Sequence, residues 1–152
     1  MTEALKLPLE LEDLKKILPH RYPFLLVDRI VEMERDQRVV GIKNVSSNER
    51  YFIAGPGGKP MLPASILTEA MAQVGAVLVL TKPEFRSKLI LFMGIDKVRY
   101  RQPVVAGDTV YLEGEVVRLR SKLGTLKGCA KVDGKIVCEG RMNFALADRP
   151  EA

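Results

Sequence analysis

The residues able to do chemistry are few, and the most conspicuous is a carboxylate in an apolar segment. Residues 64–80 read ASILTEAMAQVGAVLVL, and only Thr68, Glu69 and Gln73 are strongly polar there. Apolar surroundings disfavour a charged carboxylate, which suits Glu69 to giving a proton more than to taking one. One histidine, His20, sits in the sequence LPHRYP between two prolines. A turn histidine of this kind is read as structural, its ring bonding nearby backbone; the alternative is a pH-sensitive or catalytic group brought into a pocket. A single histidine excludes a histidine-rich zinc site within one chain. Cys129 and Cys138 form no CxxC pair and no disulfide framework. The run Gly55-Pro56-Gly57-Gly58 lacks the GxxxxGK[ST] pattern of a phosphate loop.

These groups must be carried by a chain of 152 residues, 47% hydrophobic and 28% charged, which suits one domain with a real core. The composition excludes a disordered or collagen-like chain. A formal net charge of +5 favours acidic partners, but Lys and Arg are interleaved with acids, so no nucleic-acid tail is expected. The longest apolar run, Ala76–Leu80, is far too short for a membrane span, and the N-terminus does not read as a signal peptide. A cytoplasmic location is the expectation.

The spacing predicts a short helix over 9–18 with Leu11, Leu14, Ile17 and Leu18 on one face, stopped by Pro19. Strands follow at 24–34 and 38–44. Residues 45–63, rich in Gly and Pro, are read as irregular. The apolar helix over 64–80 is expected to be buried, with Pro63 at its first position. Strands are predicted at 89–92, 95–105, 109–120, 125–132 and 135–146, with an Asp133-Gly134 hairpin turn and a frayed tail over 147–152. The fold class is α+β: a single domain over 1–152 in which a curved antiparallel sheet wraps a long central helix. One sheet leaves an edge strand and part of the helix uncovered, so dimerisation is expected.

Three stretches together carry a resemblance: LPHRYPFLLVDRI at 18–30, NERYF…P.LPASILTEAMAQ at 48–73 and MGIDKVRYRQPVVAGD at 93–108, trailed by KGCAKVDGKIVCEG at 127–140. The chain resembles the (3R)-hydroxyacyl-acyl-carrier-protein dehydratases of bacterial fatty acid synthesis. That resemblance implies a hotdog fold, a dimer with two sites at its interface, often a trimer of dimers, and no cofactor or metal. The family motif NEPFFxGHFPxxPxMPGxLxxEAMAQ aligns without a gap. It matches at Glu69 and Gln73, sets the family's catalytic histidine on Gly55, and sets glycines on Ala54 and Ala64.

In the family the histidine takes a proton from C2 of the acyl thioester. The helix carboxylate of the other subunit assists departure of the C3 hydroxyl as water. Backbone N–H groups at the helix start, near Ala64 and Ser65, suit the charge that gathers on the thioester oxygen. Gly55 brings no base, and loss of a general base costs about 10²- to 10⁴-fold. A glycine there is expected to leave a hole able to hold water, or to mark a remodelled loop.

Four readings of Glu69 stay open. They are a relic in a non-catalytic acyl-binding subunit, half of a site completed by a histidine-bearing paralogue in a mixed dimer, the water-activating group of a hotdog thioesterase, and a buried carboxylate that only bonds nearby backbone. Tyr51 and Phe52 are read as core or tunnel wall. Tyr100 is a tunnel gate or a strand-interior residue. Arg99 and Arg101, at alternate positions of a predicted strand, are candidates to meet an acidic acyl carrier protein, or solvated arginines.

Overall fold

The computed structural model describes residues 5–150. A short helix α1 (Leu11–Ile17) opens the chain. It is followed by strands β1 (Arg29–Glu34) and β2 (Arg38–Asn44), then two short strands, β3 (Ile53–Ala54) and β4 (Pro60–Met61). The long helix α2 (Ala64–Leu80) comes next, and four long strands complete the fold: β5 (Lys88–Tyr100), β6 (Thr109–Arg120), β7 (Leu123–Val132) and β8 (Lys135–Asp148). Six strands form one antiparallel sheet in the order β1-β2-β6-β7-β8-β5, and β3 pairs only with β4.

Helix α2 buries every residue from Leu67 to Leu80 except Glu69, as its nearly continuous apolar sequence requires. Pro63 is the N-cap rather than the first helical residue. Its backbone is extended, and its carbonyl accepts the N–H groups of Ile66 and Leu67 at 3.0 and 3.3 Å. The helix lies against the middle of the sheet, chiefly β6, β7 and β2. Glycines make that approach possible. A Cβ on Gly114 of β6 would stand 3.3 Å from Cα of Gly75 in α2, so backbone packs almost directly on backbone.

Periodicity locates β6 over the predicted residues, and its Val110, Leu112 and Gly114 are buried. The Asp133-Gly134 turn has both residues at positive φ, which the tight β7–β8 hairpin demands. Other expectations are corrected. In α1, Leu14 and Leu18 are buried but Leu11 is half exposed, so the apolar face is narrower than its spacing suggested. Residues 24–28 are not a strand: the Phe24 and Leu25 N–H groups turn back to the Arg21 carbonyl, and the Gln73 side chain takes the Phe24 carbonyl and the Leu26 N–H. The predicted strands at 89–92 and 95–105 are one strand that absorbs irregularities at Phe92/Gly94 and Asp96/Arg99 by bulging and ends at Tyr100. Residues 53–61, read as irregular, contain a miniature hairpin pairing Ile53 with Met61 and Ala54 with Pro60. Ala147 and Asp148, assigned to the frayed tail, pair with Leu89 and Lys88, while 151–152 lie outside the described residues.

Candidate active site

Helix α2 turns Glu69 away from the sheet, toward the turn that leads from α1 into β1. Its Oε1 accepts a hydrogen bond from Gln73 Nε2 at 3.1 Å, one helical turn later. Gln73 is 1% exposed and fully engaged. Nε2 also donates to the Phe24 carbonyl at 2.7 Å, and Oε1 accepts the Leu26 N–H at 2.9 Å. A buried amide with every partner satisfied is rigid, so the carboxylate is held by a fixed donor. Glu69 is therefore neither fully buried nor bonded to nearby backbone; its partners are side chains.

His20 is the second partner. Its Nε2 lies 3.4 Å from Glu69 Oε1, and both side chains are about three-quarters buried. The structural reading of His20 is corrected here: among the described residues its buried Nδ1 has no hydrogen-bond partner, and the ring points at a carboxylate instead of backbone. His20, Phe24, Glu69 and Gln73 share a cavity of about 270 Å³ whose far wall includes Ile90 and Phe92 of β5. That volume is just under the roughly 300–1,000 Å³ typical of small-molecule sites, and the lining is mostly apolar. Tyr51 meets Phe24 edge-on at 6.4 Å, and Tyr51 and Phe52, both partly buried, pack against the core.

Three of the other expected site residues border a second cavity, of about 240 Å³. Ala64, Tyr100 and Arg101 line it together with Pro56 and Met61, which flank the Gly55 loop. The two cavities have no lining residue in common. Among the described residues no acceptor pairs with the N–H of Ala64 or Ser65, so the first turn of α2 retains the donors an oxyanion needs. Tyr100 closes β5, half exposed, with its hydroxyl 2.9 Å from Thr68 Oγ1.

Gly55 does not leave a hole. Its backbone is extended (φ −96°), so the conformation accepts any residue, but the space does not. A Cβ there would stand 2.7 Å from Met61 Sδ and 2.9 Å from the Lys59 carbonyl oxygen. The loop is also closed on itself, since the Gly55 N–H donates to the Lys59 carbonyl at 2.7 Å. Arg99 and Arg101 do not share a strand, because Arg101 lies beyond the end of β5. Arg101 Nη2 is held at 2.6 Å by Glu139, the residue opposite Arg99. Among the described residues no His/Cys/Asp/Glu group is arranged to hold a metal, and no helix is long and apolar enough to cross a membrane.

Behind Thr68, Cys138 is fully buried in β8. Burial pushes its thiol up to about 11, against a hydrogen bond with Thr68 that lowers it. A group raised in the folded state keeps its stability contribution below its unfolded value and loses it as pH climbs. Unfolding free energy therefore declines from about pH 9 toward 11 as the unfolded thiol ionises first. Cys138→Ala is expected to make that decline shallower in urea titrations across this window; parallel curves would refute the assignment.

A family model described as a FabA-like domain matches residues 18–141. The chain is 51% identical over 144 residues to the 3-hydroxyacyl-acyl-carrier-protein dehydratase FabZ of Thermomicrobium roseum, covering 95% of this chain and 96% of that protein. It is 49% identical over 141 residues to the protein of the same name from Anoxybacillus flavithermus, covering 93% and 99%. Among solved structures, the dehydratase heterocomplex ApeI:P from Xenorhabdus doucetiae superposes with a TM-score of 0.76 at 21% identity, over 91% of this chain and 93% of that one, which shows a common hotdog fold.

Proposed function

Since the chain belongs to the FabA-like, hotdog-fold family of 3-hydroxyacyl-acyl-carrier-protein dehydratases, we propose that it acts on 3-hydroxyacyl thioesters delivered by acyl carrier protein, in fatty acid or related acyl-chain synthesis. One observation carries this reading: a single carboxylate, Glu69, is held by Gln73 at the wall of an apolar cavity. Dehydration needs an acid for the C3 hydroxyl, a base for the C2 proton and donors for the thioester oxygen. Glu69 is the acid, and the amides of Ala64 and Ser65 are the donors. That Ala64 and the carboxylate line separate cavities of one chain supports a site built from two protomers. Gly55 supplies no base, so the base comes from elsewhere in this chain or from a histidine-bearing partner in a mixed oligomer.

A dimer also answers the sheet edge. Strand β5 is one edge of the sheet, and Leu91, Met93 and Ile95 are each at least half exposed along it. Pairing with a second protomer covers them. Of the two arginines, Arg99 remains the candidate for an acidic carrier, since Arg101 is engaged by Glu139.

The test is to give the purified chain a 3-hydroxyacyl thioester on acyl carrier protein. Enoyl formation, free thiol release and binding of the loaded carrier are then followed in parallel. Enoyl product or tight binding supports the proposal; thiol release that needs Glu69 moves the chain to the thioesterases; none of the three overturns the reading. Gly55→His alone is expected to add no turnover and to cost about 1–3 kcal/mol of stability, because Met61 and the Lys59 carbonyl occupy the first atom's place. A gain in turnover without loss of stability would show that the loop yields freely.

A further inference from the structure

Among the described residues His20 is the one titratable side chain beside Glu69 in its cavity, and the proposed reaction has not used it. It lies on the turn between α1 and β1, which is clamped from both sides. The Arg21 guanidinium donates to the carbonyls of Leu18, His20 and Lys15 at 2.9, 2.7 and 2.9 Å. Gln73 ties Phe24 and Leu26 to α2. The imidazole is thus held at a set distance from the carboxylate, with Nε2 3.4 Å from Oε1. That spacing is slightly long for a hydrogen bond, as catalytic pairs often are before substrate arrives. The orphaned Nδ1 points the same way, because a ring placed only for packing normally finds partners for its buried nitrogens.

We propose that His20 is the base of this chain's own dehydration, paired with Glu69 of the same protomer, in place of the base that Gly55 does not supply. The inference rests on the preceding reading that the substrate is a 3-hydroxyacyl thioester. His20 Nε2 takes the C2 proton, and the C2–H electron pair becomes the C2–C3 double bond. The C3–O bond breaks with its electrons on oxygen, and Glu69 gives that oxygen its proton, releasing water. The histidine is then cationic and Glu69 anionic. At 3.4 Å the proton passes from Nε2 to Oε1 and restores both groups. No co-reactant is needed. Among the described residues the charged group paired with the ring is Glu69 from α2, while Arg21 from its own turn is spent on backbone carbonyls.

The test uses the full chain in its native oligomer with a 3-hydroxyacyl thioester on acyl carrier protein. His20→Gln is expected to lower kcat by about 10²- to 10⁴-fold with KM nearly unchanged, and to remove the acidic limb of the pH profile of kcat/KM. His20→Ala is expected to recover part of its turnover when imidazole is added, which a packing role would not produce. If His20→Gln folds poorly, imidazole rescue of His20→Ala and the pH profile of His20→Asn decide the matter. Turnover by His20→Gln at the wild-type rate and pH dependence overturns the pairing and leaves the substrate reading intact. A wild-type protein that binds the loaded carrier without turning it over also overturns the pairing alone. A wild-type protein that does neither overturns the substrate reading itself.

Discussion

Glu69→Ala is expected to lower enoyl formation by about 10²- to 10⁴-fold while leaving binding of the loaded carrier near the wild-type level. Among the described residues the carboxylate is the only acid lining its cavity, so none of them protonates the departing hydroxyl in its place. Its removal also leaves Gln73 well occupied, because that amide retains the Phe24 carbonyl and the Leu26 N–H. The protein should therefore fold, and the loss should fall on kcat more than on KM. Glu69→Gln sharpens the test. It keeps the shape and a hydrogen-bonding group beside Gln73 and His20 but has no acidic proton, so its loss should approach that of the alanine variant. Equal turnover in wild type and Glu69→Gln would mean that Glu69 orders the site without transferring a proton.

The second large effect is on stability. Lys43 of β2 and Glu49 of the following loop form an ion pair at 3.0 Å, with side chains only 8% and 11% exposed. Glu49 Oε1 also accepts the Tyr51 N–H at 3.3 Å, so the pair anchors the segment leading to Tyr51, Phe52 and the Gly55 loop. Breaking such a pair from one side strands a charge in a poorly solvated place and costs about 3–5 kcal/mol. Glu49→Ala should show that loss in urea unfolding. Glu49→Leu combined with Lys43→Met should regain much of it, because the desolvation cost then falls away at both ends. A single variant as stable as wild type would mean that water reaches the ammonium group.

The elements that locate the site were largely legible. A continuous apolar stretch with Thr68, Glu69 and Gln73 as its polar exceptions reads as a buried helix, and α2 spans the predicted residues. Alternation in VYLEGEVVRLR reads as a strand, and β6 spans its predicted residues too. Legibility failed where a distant group replaced a local one. Phe24–Asp28 has the composition of a strand, but Gln73, 47 positions beyond Leu26, takes the Phe24 carbonyl and the Leu26 N–H. Arg99 and Arg101 alternate in sequence, but the chain leaves the sheet after Tyr100. Gly55 reads as an empty place, but Met61 folds back across a hairpin of two-residue strands to fill it.

By itself the sequence determined the family, the central helix with its lone carboxylate, and the absence of a side chain at Gly55. Each is written in residues close along the chain, as a motif or a period of 3.6 or 2. Tertiary structure alone decided the rest of the setting of Glu69: that Gln73 is itself locked to Phe24 and Leu26, that His20 faces the carboxylate at 3.4 Å, and that the Gly55 loop borders another cavity. The first two relations join the α1–β1 turn to α2. They depend on how helix and sheet pack, and no local spacing encodes a distance between segments that meet only when the core closes.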